Sequence, residues 1–299
     1  MPPFPVNFID GIQTAIHETS EPMTSKEELI QKAQNGDIRS FHVLFSEFQP
    51  QLKSYIYRLM ANRNEMEDLV QDVFILAFEN VKSFKGEASL KSWVFTIATH
   101  EAFKVLKKKK RWREDTLLLV RDFAHRHDPI MESLERTHRE DPFGKFEIKE
   151  HIDYCFTCLS RTLPLEQQVA LILKDVYDFD VKETAQIMDK TPGVVKHLLH
   201  DARKMMVTVF DNQCALVSGT GACHQCSRLS GKFNPKQNAQ EELMKIKLVQ
   251  EARNQDKEKL YQLRMELVKA IDPLHGEGVN LHEVLLGIHH TVNDVAAND

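Results

Sequence analysis

The sequence predicts an all-α protein, built from two small helical domains joined by a linker and followed by a helical C-terminal extension. Three observations predict it. Apolar residues recur at spacings of three and four through almost every patterned stretch, and few stretches alternate as strands do. Two short stripes meet across a tight turn at Asp189-Lys190, which is the helix-turn-helix pattern. Between the helical units, residues 114–147 mix charges, carry more acid than base and hold Pro129 and Pro142, as a linker does.

The first 24 residues are read as a tail. Their opening, "MPPFPVNFIDGIQ", has no basic start followed by an apolar block, so it is not a secretory signal. No apolar run is long enough to span a bilayer, so no membrane partner is expected and the protein is placed in the cytoplasm. Five cysteines, an odd number, suit a reducing compartment better than a disulfide framework.

Residues 25–113 form the first unit. "SFHVLFSEFQPQLKSYIYRLM" places Phe41, Leu44, Phe45, Phe48, Leu52, Ile56 and Leu59 on one stripe, with Pro50 expected to kink or interrupt the helix. "MEDLVQDVFILAFENV" does the same with Leu69, Val70, Val73, Phe74, Ala77 and Phe78, and leaves Asp68, Gln71 and Asp72 on the wet face. A third stripe carries Trp93, Ile97, Phe103 and Leu106. It runs into "KKKKRWR", six basic side chains between Lys107 and Arg113. The chain as a whole has a formal charge of −5. That excludes a uniformly basic nucleic-acid binder but leaves room for this local patch, because phosphate binding needs clustered charge.

Residues 148–210 form the second unit. A helix ends at Leu163-Pro164 and another follows. Val181, Ala185 and Met188 make one short stripe. Thr191 is placed as an N-cap with Pro192 at the first helical position, and Val194, Val195, Leu198, Leu199 and Ala202 continue the second helix. The extension, 211–299, opens with a Gly-, Ser- and Cys-rich stretch. A polar helix follows, with Leu260, Leu263, Leu267 and Ile271 on one face, and then a short amphipathic helix, "NLHEVLLGIHHTVNDV". These helices need an apolar partner, either the second unit or another protein. His282, His289 and His290 are read as exposed polar residues.

"EDLVQDVFILAFENVKSFKGEASLKSWVFTIATHEAFKVLKKKKR" resembles the second domain of bacterial sigma-70 family factors, most closely the short extracytoplasmic-function type. "LPLEQQVALILKDVYDFDVKETAQIMDKTPGVVKHLLHDARK" is similar to their fourth domain, and the order and the linker also match. The resemblance implies a sigma factor, not an enzyme, with core RNA polymerase and promoter DNA as partners and an anti-sigma or other regulatory partner besides. It implies that Asp68, Gln71 and Asp72 dock on the polymerase clamp; by themselves they read as a solvated face.

From "SFKGEASLKSW" onward the family melts the near promoter element and captures a splayed base, which takes small residues, apolar surface and cations. The matching positions are Lys85, Ser89 and Lys91, beside Phe84, Gly86 and Trp93. Trp93 reads as a core residue rather than a stacking platform, since Val94 and Ile97 share its helical neighbourhood. The helix from Thr96 to Lys110 would lie along DNA, with Thr99, His100 and Lys104 exposed for strand contacts. The family commonly has Asn at His100. Lys107, Lys108, Lys110 and Arg111 would extend that helix to duplex phosphates, adding affinity without sequence information; a solvated basic tail is the bland alternative. In the helix-turn-helix, Thr191, Gly193, Lys196, His197 and His200 are the major-groove candidates. Leu198 and Asp201 stand where basic residues are common. Asp189 replaces the usual turn glycine, and Asp tolerates the left-handed backbone needed there. The acidic linker either imitates nucleic acid within the polymerase or merely tethers.

Cys155-x-x-Cys158 and Cys223-x-x-Cys226 have the spacing by which two thiolates reach one zinc ion, and Cys214 stands near the second pair. The readings left open are a single zinc site on the two pairs that ties the extension back to the second unit, a local zinc site on Cys214, Cys223, His224 and Cys226, a thiol switch, and plain burial of the helical pair. No cofactor is required otherwise. Catalytic motifs such as HExxH and GxSxG are missing from the sequence, and "GTGACHQC" has Gly-x-Gly without a preceding strand. Two functions remain: a sigma factor that opens promoters with core polymerase, or a free-standing helix-turn-helix regulator that binds duplex DNA alone.

Overall fold

The computed structural model describes residues 25–126, 132, 135–137, 139–140, 146–214 and 256–295. The chain separates into two compact units, Met1–Glu47 and Phe48–Asp299. In the first, α1 (Lys26–Gln34) starts at a capping box, with Ser25 and Glu28 each satisfying the other's backbone N–H. Gly36, at φ 99°, turns the chain, and the Asp37 carboxylate caps α2 (Ile38–Ser46). Phe41, Leu44 and Phe45, three of the stripe residues, are buried.

The second unit begins with α3 (Gln49–Met60). Pro50 lies in its first turn, so the proline opens a new helix instead of kinking one. Ala61 adopts the left-handed conformation, Asn62 caps α4 (Arg63–Asn80), and the α4 stripe Leu69, Val70, Val73 and Ala77 is buried. Ser89 caps α5 (Leu90–Leu106). α6 (Thr116–Arg126) lies in the expected linker. α7 (Ile148–Ser160) ends before Pro164, and α8 (Leu165–Leu171) runs into a π turn over Ile172–Val176. Asp180 and Glu183 form a second capping box at α9 (Val181–Ile187). Asp189 takes φ 52°, and the Thr191 hydroxyl accepts from the Val194 N–H at the start of α10 (Pro192–Gln213). Both ends of the helix-turn-helix therefore close as its sequence requires. The extension supplies α11 (Lys257–Ala270) and α12 (Val279–Val295).

Helices assigned by sequence to two domains share one core. α5 packs on α3 and α4, and also on α8 and α9. The Phe95 ring on α5 lies 5.2 Å from Tyr55 and 5.0 Å from Phe179, which precedes α9. Emptying such a site by Phe95→Ala costs about 3–5 kcal/mol. α11 packs on α7 and α10, and α12 packs on α6 and α7. The amphipathic C-terminal helices thus find their apolar partner within the chain.

One guanidinium organises the centre. Arg58 on α3 is 2% exposed. It donates to Asp153 on α7 at 2.8 and 3.2 Å, to the Tyr177 hydroxyl at 2.6 Å, and to the Val268 and Ile271 carbonyls at 3.1 and 2.9 Å. Every contact is charge-assisted, which offsets the large desolvation of a buried cation. Burial disfavours the charged form, but Asp153 and Tyr177 outweigh it and hold the pKa above the usual arginine value.

The exposed reading of the α12 histidines is corrected. His282 is 6% and His289 0% exposed, and His290 is half-buried. His289 stacks on Trp112 at 5.2 Å, and its Nδ1 lies 3.2 Å from the Thr116 hydroxyl. His282 Nε2 lies 3.3 Å from His151 Nδ1. An imidazole stacks as an aromatic ring and hydrogen-bonds at its edge, so it fits an interior that the residue type alone does not announce.

Candidate docking and nucleic-acid interfaces

The α4 stripe buries one side of the helix and leaves Asp68, Gln71 and Asp72 exposed on the other, as the spacing requires. Burial and the negative charges of Asp68 and Glu101 push the Asp72 carboxyl above the ordinary aspartate value. Ile75, one turn further along the same face, is 51% exposed. The sequence reading passed over it. Its signal was present: an apolar side chain at spacing three and four from Asp72 and Gln71, on an otherwise polar face.

α5 departs from its expectations. Thr99 is 0% exposed. It falls on the inner stripe with Phe95, Ala98 and Ala102, and its hydroxyl meets that of Tyr55 at 2.8 Å. The expectation of an exposed strand contact at Thr99 is therefore corrected. His100 and Lys104 are exposed, and Lys104 pairs with Glu101 at 2.6 Å. Lys85 and Ser89 are exposed, the Ser89 hydroxyl being used as the α5 cap. Lys91 is half-buried, with its ammonium 4.8 Å from the centre of the Phe179 ring and 5.7 Å from that of Phe95. Burial lowers its pKa against the opposing pull of Glu183. Trp93 is half-buried and packs on Phe84 at 5.5 Å.

The basic run does not extend the helix, contrary to expectation. α5 ends at Leu106, and Lys107 is its C-cap. Lys107 reaches over the Phe103 ring, and Lys108 and Lys110 are exposed. Lys109 pairs with Glu65. Arg111 turns inward, donating to the Leu163 carbonyl at 2.7 Å and to Gln168 Oε1 at 2.6 Å. Burial, with the nearby Arg161, drives its pKa down to about 9. Trp112 is also buried, under the Arg161 guanidinium and against His289. That tryptophan inside the basic run was the sequence sign that the run leaves solvent.

On α10, Thr191, Gly193, Lys196, His197 and His200 are exposed, while Val195, Leu199 and Ala202 are buried. A patch of cations and imidazoles at a helix N-terminus, presented by a rigid turn, suits a polyanionic groove.

Cys155 and Cys158 lie on α7, half-buried and fully buried respectively, and Cys214 is half-buried at the end of α10. Cys223 and Cys226 lie outside the described residues. Among the described residues, no group of three or more His, Cys, Asp or Glu is placed to hold a metal ion. Among them too, no helix is long and apolar enough to cross a membrane.

Two matches with known families fall on these elements. Sigma-70 region 2 matches residues 44–112, and Sigma-70 region 4 matches residues 154–206. Two regions of the chain, in order, match the sigma-70 family. Its curated relatives include ECF RNA polymerase sigma factors. The ECF RNA polymerase sigma-E factor of Haemophilus influenzae is 28% identical over 60% of this chain and 91% of its own length. The sigma-E factor of Escherichia coli K12 is 25% identical over 62% of this chain and 93% of its own length. Among solved structures, the sigma factor RpoE of Bartonella quintana, crystallised with the anti-sigma factor NepR, matches 58% of this chain and 98% of that chain. Its identity is 20% and its TM-score 0.41. Residues 211–299 fall outside both family matches.

Proposed function

We propose that this sigma factor binds core RNA polymerase, recognises promoter DNA and promotes strand opening, without enzymatic activity of its own. The observation that carries the reading is the match to regions 2 and 4 in order, with the α4 face left exposed. Residues 25–113 act as the polymerase- and near-element-binding domain, 148–210 as the far-element domain, 114–147 as the linker and 211–299 as an extension. Asp68, Gln71 and Asp72 make the polymerase contact, with Ile75 adding apolar area. Lys85, Ser89, Lys91, His100 and Lys104 serve the near element. Lys107, Lys108 and Lys110 serve phosphates. Thr191, Gly193, Lys196, His197 and His200 serve the far element.

Run-off transcription from genomic fragments tests this. Transcripts that need both core enzyme and this protein are expected. Tight duplex binding without core, and no transcript with it, would instead identify a free-standing regulator.

The extension adds a metal reading. Cys214, Cys223 and Cys226 have spacing suited to one tetrahedral zinc. Complete burial of Cys158 favours a packing role for the α7 pair. About one zinc per chain, lost in a Cys223→Ser/Cys226→Ser variant, is the result expected from elemental analysis. Metal-free protein with an ordered, protease-resistant tail would exclude the site.

A further inference from the structure

The outward face of α10 carries an exposed valine among its polar groups. Among the described residues, the large apolar side chains left exposed are Val43, Ile75 and Val194. A singly exposed valine is ordinary on a protein surface. Val194 differs by its place. It is the third residue of α10, the second helix of the helix-turn-helix, and the first turn of such a helix is the part that meets base edges in the major groove. The Thr191 hydroxyl accepts from its backbone N–H at 3.3 Å, so the cap fixes the turn that carries it. Val194 is 42% exposed, whereas Val195 beside it is 0% exposed. Apart from its chain neighbours, a side chain at Gly193 would come near only Thr191 Oγ1, at 3.9 Å. The glycine therefore leaves open space beside Val194 for a base edge to approach. His197, three residues on, shares the face and is exposed.

The commonest means of reading a base is spent elsewhere on this helix. Arginine bonded through two N–H groups to guanine is the most frequent specific contact in the major groove. α10 holds one arginine, Arg203. Its guanidinium donates to Asp175 at 2.6 and 2.8 Å, and the Tyr261 hydroxyl from α11 donates to the same carboxylate at 3.2 Å. The exposed groups left at the start of α10 are Thr191, Val194, Lys196, His197 and His200, followed by Asp201, whose negative charge phosphates repel. Charge alone gives such a face little grip. What a valine can recognise in DNA is narrow. Of the groups that base pairs display in the major groove, the C5 methyl of thymine is the apolar one.

We infer that Val194 is a specificity-determining residue that packs on the methyl group of one thymine in the far promoter element. The inference rests on the assignment of α10 to that element, and adds the base that one of its positions must carry. Contact takes the isopropyl group and the methyl out of water together, which favours thymine over any base without the methyl.

Replacing thymine by uracil tests it, because uracil lacks the methyl and keeps the base pairing. Duplexes selected from a randomised library by the full chain with core polymerase supply the probe, and each thymine of the selected far element is replaced in turn. With the wild-type chain, uracil at one position is expected to weaken binding about three- to fivefold, the worth of one buried methyl. With Val194→Ala the same replacement should change nothing. With Val194→Ile, which keeps a branched apolar tip, the loss should persist. Lys196→Ala should weaken thymine and uracil duplexes alike and leave their ratio unchanged. A selected far element without thymine, wild-type binding indifferent to uracil at every position, or a uracil effect that survives in Val194→Ala overturns the inference and leaves the assignment of α10 standing. Failure of the chain with core polymerase to select any duplex removes that assignment, and the inference with it.

Discussion

α4 and α5 are neighbours in sequence and pack on each other, yet they meet the rest of the chain differently. The outer face of α4 is open, with Asp68, Gln71, Asp72 and Ile75 all exposed. α5 is bounded by α3 and α4 on one side and by α8 and α9 on another, so that Lys91 and Thr99 are drawn from solvent. One surface is ready for a partner. On the other, His100 and Lys104 stay exposed while Lys91 is half-buried and Thr99 is held inside.

The largest expected effect is on the closed side. Asp153→Ala leaves the Arg58 guanidinium buried without its carboxylate, and should cost about 3–5 kcal/mol in urea unfolding. A loss under about 1 kcal/mol would show that water already reaches this pair, and that the contrast between open α4 and closed α5 is overstated. On the open side, Asp68→Arg with Asp72→Arg replaces attraction by repulsion at the proposed docking face. It should cost about 2–5 kcal/mol of core binding, read as loss of co-purification, with helical content unchanged. Retained co-purification would move the polymerase contact elsewhere.

Acid should act on the closed side first. Burial lowers the pKa of His289 from 6.5 to about 3 and that of His282 well below 6.5, with neighbouring histidines adding repulsion. Both therefore contribute stability that is fully present above 6.5 and is lost as pH falls toward their folded values. Each histidine should subtract stability progressively as pH falls below 6.5. Between pH 6.5 and 4.5 this loss should appear in unfolding curves and in exchange at α12, and should shrink in His289→Phe. A flat profile over that window would mean that water already reaches the imidazoles.

The smallest effect concerns the basic run. Neutralising Lys107, Lys108 and Lys110 should weaken binding to all promoters alike and lower the salt slope by up to about three. Adding Arg111→Gln should change stability more than slope, because Arg111 is bonded to Gln168 and the Leu163 carbonyl. A further full unit of slope from Arg111→Gln would show that Arg111 swings out to reach DNA.

What the sequence determined by itself was local. Three- and four-residue spacing set which face of α4 is wet, and Thr191, Pro192 and Asp189 specified the turn motif, because caps and stripes depend on residues within one or two helical turns. Pro50 marked a helix boundary for the same reason. Tertiary structure alone decided which charged and polar groups are spent inside. Arg58 meets Asp153 across 95 residues and the Ile271 carbonyl across 213, and His151 meets His282 across 131. No periodicity records such pairings, because a buried polar residue is stable only where a distant segment completes its hydrogen bonds. Thr99 and Arg111 looked like DNA contacts on their own helix and turn. Tyr55, Leu163 and Gln168 make them interior groups.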